Sequence, residues 1–295
     1  MGIIAALLFL SAGTRINPNM QQTIDDLSEL CVHTITTRPL DIGAAVKKYA
    51  GLGIGGISVW RDALGNRSPR QTGKMIKASG LKPVSLCRGG FFASVDRGKR
   101  EAAVADNIAA LTEAAEMEMP MIVLVCGADP GQSPETSRDQ IRAGIEAILP
   151  RAEKLGVKLA VEPLHPVYAD TRSAINTMKQ ANDMAGYFNS PWLGLAVDVY
   201  HVWWDENLEN EIIRCGRAGR LFAFHICDWK VPTADILLDR GIMGEGCIDI
   251  RRIRQWMNQA GFSGFNEVEI FSETYWKADQ DEYLQKITGA YRKYV

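Results

Sequence analysis

REAAVADNIAALTEAAEMEMPMIVLVC, residues 100–126, changes its hydrophobic period partway along. Up to Glu118 it is charged and alanine-rich, with apolar residues three and four apart, the spacing that gathers them on one face of an α-helix. From Met121 it becomes MIVLVC, apolar at every position. A run apolar throughout, and not at alternate positions, describes a strand buried on both faces, as in a parallel sheet covered by helices.

The same pairing recurs in both directions. The other strand-like runs are LCVHTI (30–35), GGISVW (55–60), KPVSLC (82–87), KLAVEP (158–163), LGLAVDV (193–199), LFAFHI (221–226) and NEVEIF (266–271). Gly or Pro punctuates the step from helix into strand in GLGIGG, SGLKP, KLGVK and QAGFSG. Eight roughly even strand–helix units without a composition break predict an α/β fold, a (β/α)8 TIM barrel in a single domain over residues 28–295. The rival is a doubly wound sheet, which would be expected to carry a glycine-rich phosphate loop. GLGIGG precedes a strand where that loop would follow one, so no nucleotide cofactor is expected.

Residues 1–27 read as an N-terminal extension of unknown role. MGIIAALLFLSAG is apolar like a signal-peptide core, yet no Lys or Arg precedes it and the run is too short to span a membrane. Lys plus Arg number 33 against 35 for Asp plus Glu, with no basic block, so neither a nucleic-acid nor a membrane partner is expected. The six cysteines form no CxxC pair; Cys31, Cys87, Cys126 and Cys227 sit in or beside apolar runs and read as small buried groups in a reducing cytoplasm.

Four neighbouring strand-like runs end on polar residues: Glu162 in KLAVEP, Asp198 in LGLAVDVYH, His225 in FAFHICD and Glu269 in EVEIFS. In a barrel the C-terminal strand ends open on one face, so these four point at one place. Three carboxylates and an imidazole suit one divalent cation, Mn²⁺ first, with Mg²⁺, Co²⁺ or Zn²⁺ as alternatives. Singly, each has a structural reading, as a helix cap or a satisfied core histidine. Together, inside runs that otherwise shun charge, they point to a site.

With VEPLHP, the D-x-x-H of Asp198 to His201, HICD, GEGCID (244–249) and EVEIFS, the chain after residue 28 resembles the xylose-isomerase-like barrels. That family includes sugar isomerases and epimerases and the AP-endonuclease-type nucleases. The resemblance implies that Glu162, Asp198, His225 and Glu269 hold one catalytic cation and that His201 contacts substrate. It also implies that Glu162 and Glu269 trade acid and base roles in proton abstraction next to a carbonyl, through an enediolate. The nucleases' three-metal cluster needs further histidines. Here the second and third runs end in Trp60 and in Cys87-Arg88, and Asp239-Arg240-Gly241 precedes GEG, so nuclease chemistry is disfavoured.

His165, three residues after Glu162, reads either as a surface loop histidine or as a third acid/base. Trp60 is a candidate for stacking on a sugar, and Arg88 for binding a phosphate or carboxylate. Trp203, Trp204 and Trp229 read as packing, as the lining of an apolar substrate pocket or as a partner interface. The leading expectation is a metal-dependent keto-sugar isomerase or epimerase. The alternative is a lyase using the same enolate chemistry, of the dehydroshikimate or inosose dehydratase type or like the catalytic subunit of C-glycoside deglycosidases acting on 3-keto glycosides. A non-catalytic sugar- or partner-binding barrel comes third. The expected partners are a small sugar or glycoside and further copies of the chain, or a small partner subunit.

Overall fold

The computed structural model describes residues 26–295; all but the last two residues of the 1–27 extension lie outside the described residues. The eight barrel strands are β1 (Leu30–His33), β2 (Gly56–Trp60), β3 (Lys82–Gly90), β4 (Met121–Val125), β5 (Lys158–Val161), β6 (Leu193–Asp198), β7 (Leu221–Ile226) and β10 (Asn266–Val268). Every adjacent pair is parallel, and β10 closes the ring between β7 and β1. The closed barrel excludes the doubly wound alternative.

A helix follows each strand and packs outside: Ile42–Gly51, Pro69–Ala78, Arg97–Met117, Pro134–Leu155, Met178–Phe188, Leu208–Arg217, Ile250–Gln259 and Gln280–Tyr294. Asp41, Asp96, Ser133, Thr177, Asp249 and Asp279 cap six of them, each side-chain oxygen accepting a backbone N–H of the first turn. Alternate strand residues such as Val32, Val59, Leu124, Val161, Val197 and Phe224 face these helices in one large core. A second, smaller cluster of Cys87, Met121, Val123, Ala160, Ala196, Phe222 and Ala223 is separate from it, within the barrel. In β1, β2, β3 and β10 the interior is polar, carrying His33, Ser58, Ser85 and Glu267.

Several strand ends differ from the runs read in the sequence. β1 stops at His33; β5 and β10 stop one residue short of Glu162 and Glu269, although both glutamate amides still bond to the neighbouring strand, at Leu124 O (3.1 Å) and Ile226 O (3.2 Å). β3 continues past Cys87 to Gly90, where φ is +108° and a Cβ would stand 1.9 Å from Val125 O, so glycine alone lets β3 lie that close to β4.

After β7 the chain forms a short antiparallel ribbon, β8 (Asp228–Trp229) against β9 (Arg240–Gly241). Asp228 accepts the backbone N–H groups of Gly244 (2.9 Å) and Ile248 (3.0 Å). That ties HICD to GEGCID and carries Arg240 back over the barrel mouth.

Candidate functional site

Glu162, Asp198, His225 and Glu269 each bring one ligand atom to a common centre, all four atoms within 4.8 Å of one another. All four side chains are buried. Glu162 Oε1 lies 2.9 Å from His225 Nδ1. Arg240 joins the other two: its Nη1 donates to Asp198 Oδ2 at 3.0 Å and to Glu269 Oε2 at 3.1 Å, and its Nη2 donates to His201 Nε2 at 3.1 Å. The guanidinium also lies over the rings of Tyr200 and Phe271.

A polar layer lies beside these groups inside the barrel. His33 Nε2 is 3.0 Å from Glu267 Oε2 and its Nδ1 is 3.1 Å from Glu269 Oε1. With a carboxylate at each nitrogen, both nitrogens donate only if the ring is an imidazolium. Glu267 also accepts from Ser58 Oγ at 2.7 Å and Ser85 Oγ at 3.3 Å. The His33 and His225 rings meet edge to face, centroids 4.7 Å apart.

The charges shape the titration of the site. Burial would lower His33 and His225, but the carboxylates bonded to them raise both to about 10. Burial raises Asp198 to about 7 against the opposing pull of Arg240. Burial would raise Glu269 too, but the hydrogen bond and charge of His33, with His225 and Arg240, hold it below the usual carboxylate range. Burial and the Arg240 charge push His201 well down, so it is a neutral acceptor for the guanidinium.

The donor set fits a divalent cation. Its atoms are hard oxygens and one imidazole, and a guanidinium already bridges two of the carboxylates as a positive charge there would. His225 Nε2 is buried without a hydrogen-bond partner, and Glu267 Oε2 stands 3.8 Å behind it. A ligating imidazole gives its second N–H to such a carboxylate.

A cleft opens over this centre. Glu162, Glu269, His201, Arg240, Trp60 and Arg88 all line it, so the structure brings the sugar-facing candidates and the two glutamates to one space. His165 is outside that lining. It is half-buried, its ring 5.1 Å from Trp229 and 5.8 Å from Trp204, with Nδ1 accepting the Val167 N–H at 3.2 Å. Trp229 stacks on Tyr200 at 4.6 Å and contacts Trp203, so this aromatic group packs chiefly on itself.

Sequence reading passed over Arg240, His33, Glu267 and Arg172. Glu267 precedes Glu269 by two positions and so shares its face of the strand, and His33 ends β1 as Asp198 ends β6. Arg240 and Arg172 lie in connections whose paths carry no periodic signal.

The chain belongs to the family described as Xylose isomerase-like TIM barrel, which matches residues 46–291. Protein SMc04130 from Sinorhizobium meliloti 1021 is 43% identical, with a TM-score of 0.88 over 91% of this chain and 99% of that one. The IOLI protein, solved with a binding zinc atom, shares the fold at a TM-score of 0.75 and 21% identity, covering 90% of this chain and 99% of that one. L-ribulose-5-phosphate 3-epimerase UlaE of Escherichia coli O1:K1 / APEC is 29% identical over 140 residues, 47% of this chain and 45% of that enzyme. The chain thus spans about half the length of the curated relatives it matches. Among the described residues no helix is long and apolar enough to cross a membrane.

Proposed function

We propose that this barrel is a divalent-metal-dependent keto-sugar isomerase or epimerase that moves a proton on a carbon next to a carbonyl. The observation that carries the reading is the convergence of Glu162, Asp198, His225 and Glu269 under a cavity that both glutamates line. The likeness to a sugar-phosphate epimerase over half the chain supports it. Mn²⁺ suits a donor set of three carboxylates and one imidazole without thiolate.

Bound there, the cation supplies Lewis-acid polarisation of a carbonyl and its neighbouring hydroxyl, which acidifies the C–H beside them. The chain does the rest. Glu162 and Glu269 reach the cavity as carboxylates able to take a proton and return it to the same or the adjacent carbon. Arg240 and His201 line the same space; the guanidinium can donate to substrate hydroxyls, and His201 Nε2, by accepting from it, helps fix its orientation. Trp60 presents an aromatic wall that suits a sugar face.

Proton NMR of the Mn²⁺-loaded protein with ketoses in D₂O tests this. Deuterium entering beside the carbonyl with the skeleton retained is the expected result; no exchange across free and phosphorylated ketopentoses and ketohexoses, with the cation bound, would overturn it. The lyase reading rests on His165, a fourth imidazole, set among Trp204 and Trp229 beside the cavity lining. It would show itself in the same spectra as a released aglycone or an unsaturated ketone.

A further inference from the structure

Three arginines line the cavity, and one of them is engaged. Arg240 is held by Asp198 and Glu269. Arg88 and Arg172 are half-buried, and among the described residues neither side chain makes an ion pair or hydrogen bond. Other arginines of the protein do pair, as Arg61 does with Asp106 and Glu113 and Arg214 with Asp183 and Glu211.

Aromatic rings hold the two guanidiniums. Arg88 Cζ lies 4.3 Å from the Phe91 centroid and 5.8 Å from that of Trp60; Arg172 Cζ lies 5.5 Å from the Tyr168 centroid. Contact with aromatic rings orients a guanidinium while leaving its N–H donors free for a planar, two-point acceptor. Burial, and after it the like charge of Arg172, hold Arg88 below its ordinary value, so the two cations sense each other in a partly dry cleft. Glu162 and Asp62 pull Arg88 the other way more weakly, and neither forms an ion pair with it.

We infer that Arg88 and Arg172 form an anion subsite in the cavity and that the substrate is an acidic keto sugar, its phosphate or carboxylate lying away from the reacting carbonyl. This deepens the isomerase reading and rests on it. Both arginines stand outside ion-pair reach of Glu162 and Glu269, so the anionic group would be held without entering the reacting centre.

Isothermal titration calorimetry on the Mn²⁺-loaded protein tests it with D-xylulose 5-phosphate, 5-keto-D-gluconate and neutral D-xylulose, for the parent, Arg88→Gln and Arg172→Gln. The parent is expected to prefer at least one anionic probe to D-xylulose by about 10-fold or more, and each substitution to cut that preference by about 10-fold. Preference for the phosphate or for the keto acid identifies the anion. Arg172→Lys, which keeps the charge and loses the fork, serves where a Gln variant fails to fold, and its preference should fall below the parent's. Equal affinity of the parent for all three probes, or a preference that survives in folded variants of both arginines, overturns the subsite. Deuterium exchange on the same samples separates the two claims. Preference without exchange keeps the subsite and removes the isomerase reading, and exchange without preference does the reverse.

Discussion

Arg240→Met should destabilise the metal-free protein strongly and the Mn²⁺-loaded protein much less. At 3.0 and 3.1 Å, each Arg240–carboxylate contact carries about 5 kcal/mol of attraction at an effective dielectric near 20, before desolvation. Removing the guanidinium leaves the Asp198 and Glu269 ligand oxygens within 4.8 Å of each other, a repulsion of at least about 3 kcal/mol on the same scale. Asp198, already raised to about 7, relieves part of that by taking a proton. Measured losses on breaking buried pairs are about 3–5 kcal/mol, which at roughly 2 °C per kcal/mol for a chain of this size is a Tm loss of about 6–10 °C. Methionine keeps much of the apolar stem over Tyr200 and Phe271, so packing contributes little. Thermal unfolding followed by circular dichroism, in EDTA and in saturating Mn²⁺, reads both states. A cation among the four ligands replaces the missing charge, so the deficit should shrink by at least half with Mn²⁺. An equal deficit in both conditions, or none in EDTA, would refute the argument that guanidinium and cation offset the same two carboxylates.

Glu162→Gln and Glu269→Gln should each lower deuterium exchange into a ketose by about 10²–10⁴-fold with the far-ultraviolet spectrum unchanged; ordinary exchange in either removes it from the acid/base pair. In EDTA, stability should fall as pH rises. His33 and His225, at about 10 in the folded state and near 6.5 unfolded, contribute stability that is complete below about pH 6.5 and lost as pH climbs through about 10. Asp198, raised to about 7, acts in the same sense at lower pH, between about 4 and 7. Saturating Mn²⁺ should flatten the decline, because it binds the deprotonated ligands; a metal-free Tm constant from pH 6.5 to 10 would contradict the His33 and His225 bridges. His165→Ala should leave deuterium exchange within about threefold of the parent if the protein is an isomerase, and NMR showing exchange intact but cleavage lost would move the protein to the lyases.

The barrel was legible because every strand of a parallel sheet is buried on both faces and so stands out as an unbroken apolar run against the charged helical stretches. The four candidate ligand positions were legible for the same reason, as charges in runs that otherwise avoid them. Glu267 and His33 obey the same rule, and the alternation of EVEIFS places Glu267 beside Glu269 once the inner face of β10 is known. What the run does not reveal is that a charge can be sunk a layer deeper, because the cross-strand partners Ser58, Ser85 and His33 come from β1, β2 and β3, far off in sequence. Arg240 was illegible for a different reason. Its strand is a two-residue ribbon that exists through pairing with Asp228 and Trp229, so only the folded chain turns it towards Asp198.

The residues two positions before Glu162, Asp198, His225 and Glu269 explain how a barrel accommodates this much charge. Ala160 precedes Glu162, Ala196 precedes Asp198 and Ala223 precedes His225, each on the same inward face and each fully buried. Three alanines in the layer beneath leave room in the barrel centre that larger apolar side chains would otherwise fill. In the fourth strand the corresponding position is Glu267, whose side chain reaches His33, Ser58 and Ser85. A buried carboxylate without partners costs several kcal/mol, and here each polar neighbour is supplied by a different strand. Glu267 in turn fixes His33, and His33 fixes Glu269, so the orientation of Glu269 is set from below by a chain of contacts that crosses the barrel. The polar layer is therefore best understood as the support of the site, since a barrel needing only stability would fill these positions with apolar side chains.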